Sequence, residues 1–137
     1  MISLHQVVPD NLRIGTLAIN LHSTEDGGTL SVRKVPLIGS MYFPSIKFED
    51  DADDENTKVM IVELDNHGRM RWIQMSAEMA GQYVAVLVDG NYEFMWRVTR
   101  PAAAQERIML IRGPWDDDMA ERIVRGAPEN YKKLNQR

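Results

Sequence analysis

The sequence predicts an α+β fold, a mostly antiparallel sheet of about five to six strands with two helices packed on one face. Apolar and polar residues alternate with the period of a half-buried strand over 16–24 and 91–99, and apolar residues recur at helical spacing over 70–80 and after Trp115. The element order is a hairpin, a strand, a helix, a three-strand meander and a final helix. With 137 residues, 44% hydrophobic and 26% charged, the chain has the length of one domain, expected to span 1–137, and can bury a core without staples. The absence of cysteine removes disulfides, thiol catalysis and cysteine-ligated metals. A net charge of -4 argues against general polyanion binding, so no nucleic-acid partner is expected.

Residues 1–10 have no basic n-region and no apolar run of signal-peptide length, and no stretch approaches a membrane span. No span is therefore expected in this chain, which could still be part of a longer exported protein. In 16–24, Leu17, Ile19 and Leu21 alternate with Ala18, Asn20 and His22, as a strand requires. Asp26-Gly27-Gly28 supplies a turn into 29–35, where Leu30, Val32 and Lys34 share one face, and Pro36 ends this hairpin. Residues 37–48 contain Gly39 and Pro44 and read as a loop with one helical turn near Pro44-Ser45-Ile46. The run from Glu49 to Glu55 holds six acids in seven residues. A solvated loop is the plain reading; a cation site is the sharper one, although the glycine and spaced glutamate of an EF-hand loop are missing.

The apolar run 57–64 reads as a strand covered on both faces, followed by a turn at Asp65-Asn66-His67-Gly68. Met70, Ile73, Ala77 and Ala80 mark an amphipathic helix that Gly81 stops. Residues 82–88 are the most apolar strand signal. Asp89-Gly90 suits a tight hairpin turn, and 91–99 returns with Tyr92, Phe94, Trp96 and Val98 on one face. Pro101 and three alanines make 100–106 a loop before a short strand at 107–112. Asp116 caps the last helix, Asp117 and Asp118 complement its dipole, and Met119, Ala120, Ile123, Val124 and Ala127 form its stripe. Gly126 and Pro128 break or end it, leaving a polar tail at 129–137.

No catalytic constellation emerges. His5, His22 and His67 lack metal-ligand spacing, and there is no nucleophile elbow, phosphate loop or dinucleotide fingerprint. No metal, cofactor or catalytic residue is assigned. The stripe Tyr92, Phe94 and Trp96 is either a core face or, where uncovered, a binding platform. Met70, Met75, Met79, Met95 and Met119, five of nine methionines, fall near the expected helix–sheet contact.

The run Gly81 through Gly90, the strand after it, Ile111-Arg112-Gly113-Pro114-Trp115 with its acid-capped helix, and Ile123-Val124 resemble the head subdomain of the first periplasmic domain of SecD. Upstream, Val35-Pro36-Leu37, residues 59–64 and Asp65-x-x-Gly68 match the same layout, so the similarity covers about 30–127. In that family a strand leads through a turn into a helix ending in Gly, and a Gly-x-aromatic motif precedes an acid-capped helix. The resemblance implies a head-like α+β module outside the membrane that contacts unfolded polypeptide. It does not carry over motor activity, which in SecD needs transmembrane helices absent here, and Trp96 stands where the family's hairpin tends to carry a Ser-Ala-Pro-like sequence.

The leading functional expectation is a non-enzymatic binding or accessory domain that holds polypeptide or a partner protein, with Tyr92, Phe94, Trp96 and Trp115 as binding residues. A small hydrolase pairing carboxylates with His22 or His67, and a homo-oligomerisation domain using an uncovered sheet edge or face, are the alternatives.

Overall fold

The computed structural model describes residues 1–8, 18–22 and 29–136, with backbone alone at 18–22 and 29. The fold is α+β and every strand pair is antiparallel. The most apolar run becomes β7 (Tyr83–Val88), buried from Val84 to Val88. Asp89 and Gly90 follow with φ of 52° and 82°, the two left-handed positions of a type I′ turn, and return the chain as β8 (Asn91–Arg97). On its other side β7 pairs with β1 (Ile2–Gln6), which reading residues 1–10 for targeting alone overlooks. Ile2 and Leu4 enter the core, while His5 is buried on the opposite face. The short β4 (Ile38–Gly39) completes a sheet ordered β4-β1-β7-β8.

Residues 37–48 are not a loop. A 3-10 turn at Ser40–Tyr42 leads into β5 (Ser45–Asp50), where Ile46 and Phe48 face the core and Lys47 and Glu49 face away. The strand is masked in sequence because its charged face runs straight into the acidic segment. β5 pairs with β6 (Lys58–Glu63), and β6 with β9 (Ile108–Gly113), making a second sheet ordered β5-β6-β9. The expected three-strand meander therefore ends after β8: the Pro-containing segment before β9 is too long for a tight turn and delivers β9 to β6. A third sheet is the hairpin of β2 (Ala18–His22) and β3 (Thr29–Arg33). Val8 N–H donates to the Ser31 carbonyl at 2.8 Å, and Val32 meets Ala85 and Leu87, so the hairpin covers the outer face of the first sheet. Its Asp26-Gly27-Gly28 turn lies outside the described residues.

Helix α1 (Asn66–Met79) starts earlier than expected, because Asp65 is its cap and accepts the Gly68 N–H at 2.7 Å. Its buried face is also rotated: Gly68, Trp72, Met75, Ser76 and Met79 face inward, whereas Met70 is 52% exposed. Burying the Trp72 ring system removes more apolar area from water than burying Met70 would. Gly81 takes φ 85°, as a left-handed helix stop requires. Helix α2 (Asp117–Leu134) continues through Gly126 and Pro128. Pro128 is on the exposed face, where water can satisfy the carbonyl its ring leaves without a donor. Beyond it Tyr131 donates to Asp65 Oδ2 at 2.8 Å, locking the end of α2 to the start of α1. Both helices pack into the core shared by the two larger sheets.

Candidate binding groove

β8 ends one sheet and β9 ends the other, and among the described residues neither pairs with a further strand. Their edges face each other across a groove of about 530 Å³, within the size range of ligand sites. One end is closed. Phe94 packs so tightly over Gly113 that a Cβ there would stand 2.2 Å from Phe94 Cζ. The groove opens toward Arg97 and Ile108, with Trp72 and Trp96 as its aromatic lining and Ile108 and Leu110 as apolar wall residues. Ile108 and Leu110 are 40% and 43% exposed and stand side by side on the outer face of β9. Trp72 is held by its Nε1–H, which donates to the Thr99 carbonyl at 2.8 Å.

The charged lining is Arg97, Arg100, Arg112 and Glu106. Glu106 is already engaged, since its Oε1 accepts the backbone N–H of both Arg107 and Ile108 at 3.0 Å. Arg97 Nε donates to the Gly81 carbonyl at 3.2 Å, which holds the guanidinium at the rim, and Arg112 lies 4.0 Å from Asp51. In a chain of net charge -4 this groove is locally cationic. None of these arginines stands out in the sequence. Only the apposition of edges from different sheets gathers them.

The aromatic residues singled out from the sequence are only partly brought together. Trp96 and Trp115 are 6% and 5% exposed, and both belong to the core. The Phe94 and Trp115 rings meet edge to face at 5.0 Å, and Trp115 meets Phe48 the same way at 5.4 Å. Tyr92 does not share their face. A bulge places Glu93 as an extra residue, so Val86 pairs with Phe94 but Leu87 with Tyr92, which flips Tyr92 toward the Ala85 and Leu87 side. Burial pushes the Glu93 carboxyl up, with the Arg122 charge opposing.

The histidines are dispersed. His5 is fixed between the Arg33 carbonyl, 2.7 Å from Nδ1, and Ser3 Oγ, 2.9 Å from Nε2. His67 is exposed at the start of α1, and the His22 side chain lies outside the described residues. In the acidic segment the carboxylates bind the local backbone: Asp51 accepts the Asp53 N–H at 3.0 Å and Asp54 the Asn56 N–H at 2.9 Å. The Asn56 N–H, together with the Thr57 hydroxyl, holds the Asp54 carboxyl below its ordinary value. Among the described residues no group of three or more His, Asp or Glu could hold a metal ion.

The same arrangement of sheets and helices recurs in a solved structure of SecDF, a membrane component that enhances protein export. The match covers 93% of this chain with a TM-score of 0.60 and 13% identity. This is a SecD-like fold. A crystal structure of SecDF in its super-membrane-facing form matches equally well, with a TM-score of 0.61, 12% identity and 93% of this chain covered. The chain corresponds to 61% of the first of those chains and 18% of the second, so the SecD-like fold here is less than two thirds of either. At such identity the likeness is one of fold. No protein-family model and no curated protein matches the sequence. No helix among the described residues is long and apolar enough to cross a membrane.

Proposed function

We propose that this chain is an accessory domain for protein export that holds an extended stretch of unfolded polypeptide in the groove between β8 and β9. The observation that carries this reading is the pairing of exposed Ile108 and Leu110 with a tryptophan-lined cleft between two sheet edges. The SecD-like fold supports it by analogy. Trp96 is the residue of the aromatic set that would touch the segment. Phe94 and Trp115 would hold the closed end from behind, and Tyr92, half-buried on the Ala85 and Leu87 side, would support β8 from its outer face.

The test is titration of unfolded polypeptides into the folded protein, followed by tryptophan fluorescence. Leu110→Ala and Ile108→Ala should fold normally, because both side chains are exposed, and each should weaken binding about fivefold, as loss of a buried apolar contact does. Unchanged affinity in both variants would remove the groove as the site.

A further inference from the structure

The groove offers more than apolar wall. In an antiparallel strand successive residues point their N–H and C=O groups to alternate sides. On β9 the Arg107 carbonyl accepts Leu64 N–H at 2.8 Å, toward β6, so Ile108, Leu110 and Arg112 present their backbone groups to the groove. Ile108 shows this directly: its N–H turns away from β6 and donates to the Glu106 carboxylate. On β8, Val98 uses both its N–H and its C=O toward the β7 side, with Gln82 and Gly81, so Arg97 and Met95 present theirs to the groove. Two strand edges thus face one cleft, beneath a rim of Arg97, Arg100 and Arg112; the acid of its lining, Glu106, is spent on the backbone, and Asp51 stands 4.0 Å from Arg112.

We infer, resting on the polypeptide-holding reading above, that the groove accepts its segment by strand addition to β9 beyond Glu106, and that the segment it selects is acidic and alternates with apolar residues. Leu110 and Arg112 supply the main-chain donors and acceptors. The apolar side chains of the added strand pack toward Trp96, Ile108 and Leu110, while its carboxylates, on the alternate face, meet Arg97 and Arg100. The carboxylate of Glu106 on the Ile108 N–H marks the chemistry this edge already tolerates. Uncovered strand edges attract further strands, and the cationic rim decides which.

The experiment uses short fluorescent peptides on the intact chain, read by anisotropy: alternating Val–Glu, alternating Val–Lys, and Val–Glu peptides N-methylated at every valine or at every glutamate. We expect the Val–Glu peptide to bind about tenfold or more tightly than Val–Lys at low salt, with the gap narrowing as salt screens the rim. Methylation blocks one edge of the peptide at a time. One phase should lower affinity about tenfold and the other by less than about threefold. Leu110→Pro removes a groove-facing donor without touching the β6 ladder and should reproduce the larger loss. If that variant does not fold, the methylated peptides decide on the unaltered protein. Peptides that bind regardless of charge and of methylation phase would overturn strand addition while leaving the groove as a polypeptide site. Failure of every peptide and of unfolded polypeptide to bind would overturn both.

Discussion

Replacing Gly113 by Ala tests the closed end of the groove. The added methyl would lie 2.2, 2.6 and 2.7 Å from three atoms of the Phe94 ring. A phenyl ring can usually swing aside, but this one is held edge to face against Trp115, itself held against Phe48. The methyl must therefore displace the ring and loosen an aromatic contact. Overpacking of this kind costs ~1–3 kcal/mol, and a lost aromatic pair adds about 0.5–1.5 kcal/mol. We expect a net destabilisation of about 2–3 kcal/mol in urea unfolding, easily resolved as a lower midpoint at unchanged slope. The decisive control is Gly113→Ala in a Phe94→Ala background. There the methyl fills space the ring has vacated, so its cost should fall to about zero or reverse sign, a coupling that only residues in contact show. A Gly113→Ala variant as stable as the parent, or a cost undiminished without the Phe94 ring, would refute the described closure.

Asp65 serves both helices, so Asp65→Ala should cost about 2 kcal/mol by removing the α1 cap and the bond from Tyr131, and should be non-additive with Tyr131→Phe in a double-mutant cycle. The bond to Asp65 holds the Tyr131 phenol above its ordinary value. Its contribution is therefore full below the unfolded tyrosine range and lost as pH rises through the folded one, so unfolding of the parent and of Tyr131→Phe should converge in strong alkali. Glu93 acts in the same direction at lower pH. A carboxyl raised by burial makes the native state bind protons more tightly than the unfolded chain, so stability falls as pH climbs through the glutamate range. Glu93→Gln should unfold at higher denaturant than the parent at neutral pH and lose that advantage in acid, which paired titrations at the two pH values will show.

Hairpins were the most legible part of this sequence, because the Asp89-Gly90 turn and the flanking β-patterns are local signals. Ile2 and Leu4 alternate with Ser3 and His5 as clearly as any strand, yet β1 draws its partners from distant segments, and nothing beside it announces a sheet. β5 hides because its outer face is charged. The bulge at Glu93 is invisible to a strict two-residue period, which is why Tyr92 falls on the wrong face. The rotated face of α1 is a tertiary choice, settled by where Trp72 finds a cavity and a carbonyl to bind. Of the groove, Trp96 could be singled out in advance. The three arginines and the two free edges could not, since they converge only when strands from separate sheets are set side by side.

The position of β1 has a consequence for how the chain comes to be folded. The α-amino group of Met1 is paired with Asp89, 88 residues further on, and β1 pairs with β7 from Ile2 to Gln6 and with β4 at Ser3 and Leu4. β1 can complete its ladder only once β7 is in place, so Ile2 must wait for Val88, and Leu4, which meets Ile38 on one side, must wait for Val86 on the other. Such long-range closure slows folding and leaves a sticky edge exposed in the interval. Among the described strands, the ladder that spans the most sequence thus runs through the middle of the four-stranded sheet.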